Sequence, residues 1–260
     1  MQSSPLSHRL VAHRGDQQHY PENSLSAFQA AAADGRLYLE FDVQLSADLI
    51  PMVYHDPDLQ RTSGVDGGIN ETTTAELARL TASEPARLGQ SFCFEPIPTL
   101  RKVIKWYQFI QSSAPKLQLF VEIKEESIEH FGHQRVLDAI RPVLAPVRSS
   151  VIIISFDAPL LALLRSNWPR TGLILRQWPA TDSSLNTAQP DYLIVNKQRI
   201  GTDERLDDQP LPVMVYEIEN KQQAEHWLQR GASLLESFNC NAILAGPHSP
   251  PAQRQRWPYE

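Results

Sequence analysis

Between Leu10 and Asp56 the chain carries residues whose types and spacing suit phosphoryl chemistry, each at the end of an apolar run. Leu10-Val11-Ala12 leads into His13-Arg14-Gly15, the run Leu37 to Leu45 contains Glu40 and Asp42, and Ile50 to His55 ends on His55-Asp56. Glu40 and Asp42 are two residues apart, so on a strand they point to one face. The stretch from His13 to Glu40 is about the length of a βαβ crossover, which makes its two strands parallel neighbours with their C-terminal ends together. With Asp48-Leu49 as a turn, Ile50 to His55 runs back along the second strand; centring that turn between positions 48 and 49 sets Asp42 opposite His55. One patch then holds two imidazoles, two carboxylates and an arginine. Carboxylates are hard ligands for Mg²⁺ or Ca²⁺, a metal and Arg14 can offset charge on phosphate oxygens, and two histidines can divide acid and base roles near neutral pH.

The elements that must position this patch follow from periodicity. Ser24 opens a helix with Leu25, Phe28, Ala31 and Ala32 on one face before Gly35. Strand starts at Leu10, Leu37, Leu117, Val151, Thr171, Tyr192, Pro212 and Ser233, with helices between several of them, make a parallel set that closes a TIM barrel. The Ile50 to His55 segment is left over as a hairpin extension. The whole chain, 1–260, reads as a single α/β domain with a polar insertion at about 57–98. That insertion is rich in Gly and Thr, with a short helix near Ala75 to Leu80. Thr99 to Gln111 and Glu126 to Val147 read as helices. His130 and His133 lie in the second at a spacing that could bind a metal, but a solvated face is the expected reading because no third ligand accompanies them. Glu122 and Lys124, two apart at the end of the third strand, can both face the barrel interior, although Lys124 equally suits a solvated helix entry. Near the other strand ends, Phe156, Trp178 and Tyr216 are candidates for an apolar wall. The tail from Pro247 reads as a surface segment on which Trp257 and Tyr259 tuck against the barrel.

Composition narrows the function classes. A net charge of -6 argues against general binding to nucleic acid or anionic membranes. No apolar run reaches transmembrane length and Met1 to His8 has no signal-peptide core, so a cytoplasmic location without stable membrane insertion is expected. Cys93 and Cys240 are expected to be reduced thiols.

The chain resembles the glycerophosphodiester phosphodiesterase family, in particular its bacterial cytosolic members. The resemblance rests on Ala12-His13-Arg14-Gly15, Pro21-Glu22-Asn23-Ser24, Leu39-Glu40-Phe41-Asp42 and Pro51 to Asp56. It continues through Leu59-Gln60-Arg61-Thr62-Ser63, Glu95 to Leu100, Val121-Glu122-Ile123-Lys124 and Ser155-Phe156. The resemblance implies a metal-dependent TIM barrel that hydrolyses glycerophosphodiesters to sn-glycerol 3-phosphate and an alcohol, with the insertion as a small cap beside the active-site mouth. It implies that Glu40, Asp42 and Glu122 hold one divalent cation, Mg²⁺ first and Ca²⁺ second, that Arg14 and Lys124 contact phosphate, and that His13 and His55 are the acid and base on opposite sides of the phosphorus. Which histidine takes which role stays open. Glu22 and Asn23 are candidates for orienting Arg14 or binding substrate, though Asn23 could equally cap the first helix, and Phe156 and Tyr216 are candidate substrate contacts. The expected partner is a small-molecule glycerophosphodiester.

Departures from the family pattern lie late in the chain. Tyr216-Glu217-Ile218-Glu219 stands where an aromatic followed by Thr-Val-Asn is usual, and Ser237-Phe238 where Thr-Asp is expected. Glu219 and Glu236 add negative charge that could favour a cationic head group such as choline. The alternatives are a lysophospholipase D or sphingomyelinase D-like phosphodiesterase and a non-catalytic glycerophosphodiester-binding barrel. The first lacks a visible acyl channel or disulfide framework, and the second would usually have lost a histidine or metal carboxylate.

Overall fold

The computed structural model describes residues 5–245; Trp257 and Tyr259 lie outside the described residues. Nine strands form one sheet: β1 (Leu10–Ala12), β2 (Tyr38–Leu45), β3 (Pro51–Val53), β4 (Gln118–Ile123), β5 (Val151–Ser155), β6 (Thr171–Leu175), β7 (Tyr192–Asn196), β8 (Val213–Tyr216) and β9 (Leu234–Ser237). Their order is β1-β9-β8-β7-β6-β5-β4-β2-β3, and β1 also pairs with β2. Every pairing is parallel except that of β3, which is antiparallel to β2. The eight parallel strands therefore close into a TIM barrel, and β3 is the hairpin left outside it. Each parallel strand starts within a residue of the position expected from the sequence.

Continuous apolar runs form these strands because both faces are covered. Alternate residues Val11, Phe120, Ile152, Ile174, Ile194, Met214 and Leu234 fill the barrel interior. Their neighbours, such as Leu119, Val121, Ile153, Leu173 and Leu193, join the layer under the helices. Side chains two positions beyond the interior layer, toward the strand C-termini, are carried to the mouth. His13, Glu122, Tyr216 and Glu236 arrive there by that rule.

Two local expectations are corrected. The β2–β3 register pairs Val43 with Val53 and Leu45 with Pro51, and the Tyr54 amide donates to the Asp42 carbonyl at 3.1 Å. Tyr54, not His55, therefore stands opposite Asp42. The cause is the turn, which holds three residues: Ser46 N–H donates to Ile50 O at 3.0 Å, with Leu49 in the left-handed region at φ 62, as in three-residue hairpin loops. The helix expected over Glu126 to Val147 is broken by Gly132, at φ 82 and ψ 152, into Glu125–Phe131 and His133–Leu144. His130 and His133 fall on different helices, and His133 Nε2 pairs with Asp157 at 3.0 Å.

Between β3 and the helix Leu100–Ile110, short helices at Gln60–Ser63, Thr74–Leu77 and Pro85–Leu88 surround a small core of Met52, Tyr54, Leu59, Ile69, Leu77, Ala82 and Ile97. Asn70 Nδ2 fastens this segment to the barrel, donating to Leu45 O at 2.6 Å and Ser127 Oγ at 2.9 Å. Among the described residues no helix is long and apolar enough to cross a membrane.

The loop after β1 makes one close approach. Gly15, at φ +86, lies against the helix Leu25–Ala33, where an added Cβ would sit 2.7 Å from the Ala27 carbonyl carbon. Backbone contact and positive φ together require glycine. Gly15→Ala is expected to lower stability by about 1–3 kcal/mol, measured by urea unfolding; an unchanged midpoint would contradict the packing described.

Candidate active site

A cavity of about 250 Å³ opens at the C-terminal end of the barrel, lined by His13, Arg14, Glu40, His55, Glu122, Lys124, Phe156 and Tyr216, with Ile154, Ile174, Ile194, Glu217 and Glu236. Every strand of the barrel except β2 feeds it by end-of-strand alternation, and β2 contributes Glu40 from within its length. The mouth of a parallel barrel is the usual place for a ligand site.

Four carboxylates are buried here: Glu40, Asp42, Glu236 and, largely, Glu122. Their oxygens are served unevenly. Asp42 Oδ2 accepts from Asn23 Nδ2 at 2.8 Å and lies 3.1 Å from Arg14 Nε. Lys124 Nζ is 3.1 Å from Glu122 Oε1 and 3.8 Å from Asp42 Oδ1. Glu40 Oε2 accepts the Arg14 amide at 3.1 Å. Among the described residues Glu40 Oε1, Asp42 Oδ1 and Glu236 Oε1 have no hydrogen-bond partner although buried. Burial raises the Asp42 carboxyl, but Arg14, His55 and Lys124 outweigh it and hold the group well below the usual carboxylate range. Burial and then the charge of Asp42 push Glu40 far up, and burial followed by Glu122 does the same to Glu236. One oxygen from each of Glu40, Asp42 and Glu122 lies within 4.8 Å of the others. Three hard donors, two of them with an unserved oxygen, fit a divalent cation such as Mg²⁺ or Ca²⁺.

The two histidines are backed differently. His55 Nδ1 lies 2.6 Å from Asp56 Oδ1, and since a carboxylate only accepts, Nδ1 carries the proton and Nε2 is left as the acceptor of the neutral ring. Gln44, fully buried, holds the loop by donating to the carbonyls of His55 at 2.8 Å and Asp56 at 2.7 Å. His13 has no such partner among the described residues: its Nδ1 is buried and unpaired, and its Nε2 is 3.8 Å from Glu40 Oε2. Burial, with Arg14 beside it, lowers the His13 pKa well below the ordinary imidazole value.

Glu22 and Asn23 lie behind the cavity rather than on it. Asn23, at φ 56, spans Asp42 with both ends of its amide, its Oδ1 accepting the Asp42 amide at 3.1 Å. The helix cap is Ser24, whose Oγ accepts from Ala27 N at 3.1 Å. Glu22 accepts from Arg14 Nη1 at 3.0 Å, so it orients that guanidinium. Trp178, a candidate for the apolar wall, packs against the outer core instead. Glu219 is turned out to solvent and paired with Lys197, leaving Glu236 alone of that pair in the cavity.

Two residues gain functions that spacing did not assign. Arg61, from the insertion, reaches Asp56 through Nε at 2.6 Å and Glu22 through Nη2 at 2.6 Å and Nη1 at 3.0 Å. It joins the carboxylate behind His55 to the carboxylate behind Arg14. Its only sequence signal was membership of the Leu59 to Ser63 motif. Phe238 stacks on the His13 ring at 4.2 Å with planes 12° apart, and Arg14 lies 5.7 Å from its centroid. The departure at 238 was visible, but not that its ring would cover a histidine.

Fold and site together define a TIM barrel with two histidines, an arginine, a lysine and a cluster of carboxylates at its C-terminal mouth. The model of the glycerophosphoryl diester phosphodiesterase family matches residues 13–233, and the chain belongs to that family. It is 29% identical over 174 residues to glycerophosphodiester phosphodiesterase 1 of Bos taurus, covering 65% of this chain and 49% of that protein. It is 38% identical over 96 residues to a glycerophosphodiester phosphodiesterase of Caldanaerobacter subterraneus, covering 37% of this chain and 39% of that protein. These matches span about half or less of the relatives' lengths. Among solved structures, a phosphodiesterase of Oleispira antarctica in complex with the product sn-glycerol-3-phosphate superposes with a TM-score of 0.78 at 26% identity, covering 91% of this chain and 95% of that one.

Arg61 touches two supporting carboxylates and does not line the cavity, so its loss should misplace His55 and Arg14 without unfolding the barrel. Arg61→Gln is expected to lower kcat on a glycerophosphodiester by roughly tenfold to a hundredfold, with Arg61→Lys recovering part of it. Equal kcat in Gln, Lys and wild-type proteins would reduce Arg61 to a tether.

Proposed function

We propose that the protein hydrolyses glycerophosphodiesters to sn-glycerol 3-phosphate and an alcohol, with Glu40, Asp42 and Glu122 holding one divalent cation, Mg²⁺ before Ca²⁺. What carries this reading is that His13 and His55 face one cavity together with Arg14, Lys124 and two carboxylates of the triad. The product held by the related Oleispira phosphodiesterase supports the substrate class. Bound at the triad, the ion supplies a Lewis acid that offsets charge on a phosphate oxygen. Arg14 and Lys124 bind the remaining anionic oxygens, Arg14 being aimed by Glu22. The carbon skeleton of the glycerol rests on Phe156 and Tyr216, with Ile154, Ile174 and Ile194 beneath.

His55 is the base in this reading. Asp56 fixes its proton on Nδ1, which leaves the Nε2 lone pair to take a proton from the attacking oxygen, either water or the substrate's glycerol 2-hydroxyl. His13 is the acid, protonating the alcohol oxygen as its bond to phosphorus breaks. The free His13 ring is held neutral by burial and Arg14, and the negative charge of a bound phosphodiester opposes that effect, favouring its protonation when substrate is present. Attack by the 2-hydroxyl forms a cyclic phosphate that water then opens. A cytoplasmic site of action is part of the proposal, supported by the unpaired thiols of Cys93 and Cys240.

Chelator-stripped protein is expected to be inactive on glycerophosphocholine and restored by Mg²⁺. His13→Ala and His55→Ala should each lose roughly 10² to 10⁴ in rate. With a p-nitrophenyl ester of glycerol phosphate, whose leaving group departs without a proton, His13→Ala should recover most of its loss and His55→Ala none. Recovery by His55→Ala instead would reverse the two roles, and metal-loaded wild-type protein inert on several glycerophosphodiesters would sink the function.

A further inference from the structure

The triad explains three of the four carboxylates at the barrel mouth and leaves Glu236 without an occupation. Glu236 lies on β9, in register with Val11 of β1, so it comes up beside His13, the next inward residue of β1. It is 3% exposed, and among the described residues no basic side chain lies within ion-pair distance of it. Arg14 is spent on Glu22 and Asp42, and Lys124 on Glu122 and Asp42. Among the described residues each of these three side chains has a buried polar atom without a partner, His13 Nδ1, Glu40 Oε1 and Glu236 Oε1, and His13 approaches Glu40 through Nε2, 3.8 Å from Oε2. One ligand atom from each of the three residues lies within 4.8 Å of the others, and all three residues are buried. A buried carboxylate and a buried imidazole both left unserved are costly unless something binds them.

We propose that His13, Glu40 and Glu236 form a second cation site, which shares Glu40 with the triad and takes a borderline divalent ion such as Zn²⁺ or Mn²⁺. The donor set decides the ion: an imidazole with two carboxylates suits Zn²⁺ or Mn²⁺, whereas the all-oxygen triad suits Mg²⁺ or Ca²⁺. A carboxylate serving two ions costs no additional side chain, since each oxygen of Glu40 can take a separate partner. Resting on the proposed role of His13, the inference has a consequence for regulation. An ion held by the imidazole occupies a ring nitrogen and withdraws His13 from proton transfer, so the second ion inhibits where the first activates.

The site is tested first by counting ions, which needs no substrate. Stripped protein is titrated calorimetrically with Zn²⁺, and the bound metal is counted after dialysis, for wild type, Glu236→Gln, His13→Gln and Asp42→Asn. Glu236→Gln and His13→Gln are each expected to hold one ion fewer than wild type, or to bind it at least about tenfold more weakly. Asp42→Asn should keep the ion that they lose. If Glu236→Gln were to precipitate, His13→Gln alone would decide the count. In saturating Mg²⁺, added Zn²⁺ should inhibit glycerophosphocholine hydrolysis by wild type and do so at least tenfold less effectively in Glu236→Gln, each compared with its own Mg²⁺ rate. Equal Zn²⁺ uptake by wild type, Glu236→Gln and His13→Gln would overturn the site, as would loss of all Zn²⁺ in Asp42→Asn. An inactive protein that still shows the difference in uptake would refute the proposed hydrolysis and leave the site standing.

Discussion

Crowding of like charge at the barrel mouth is the constraint on which the rest of this structure depends. Glu40, Asp42, Glu122 and Glu236 converge where water is largely excluded, and two like charges about 4 Å apart repel by roughly 4 kcal/mol even at an effective dielectric constant of about 20. Asp42 escapes because Asn23, Arg14 and Lys124 all turn toward it, and so it is the carboxylate that stays ionised while Glu40 and Glu236 are driven toward protonation. That division makes the mouth a place that a cation enters with gain.

The backbone carries some of the cost. Arg14 and Asn23 both occupy the left-handed region, at φ 55 and 56, where a residue with a side chain gives up about 1–2 kcal/mol. Their positions are linked, since the Asn23 amide donates to the Arg14 carbonyl at 3.1 Å. The β1 loop is bent so that a guanidinium and an amide side chain reach the same carboxylate. Such strain persists only where the surroundings over-determine it, and here the closed barrel on one side and the helix Leu25–Ala33 on the other do so.

Much of this was legible in the sequence because barrel strands have a period of two and are buried on both faces. The alternation that fills the interior with Val11, Phe120 and Leu234 also delivers His13, Glu122 and Glu236 to the mouth, so spacing gave their placement, while their roles came from the family resemblance. What escaped depended on turns and on long-range pairing. Leu49 in a left-handed conformation moved the hairpin register by one residue, and Gly132 ended a helix that the apolar pattern continued through. Arg61 is separated from Glu22 by 39 positions, and no local period reports a contact of that kind. Trp178 and Glu219 sit near strand ends as expected, yet neither lines the cavity, because each lies three residues past its strand, where the alternation that still holds one residue beyond β1 is lost.

The insertion after β3 has a small core of its own, yet Arg61 sits between Asp56 and Glu22, and Glu84 accepts the Glu22 amide at 2.6 Å. The segment is thus both scaffold and part of the electrostatic wiring of the mouth. Exchanging it with that of another barrel would transplant a hydrophobic unit and sever two ionic ties at once. A chimera that keeps Glu22 must import a partner for it, so this loop and the strand-one loop have to be exchanged together.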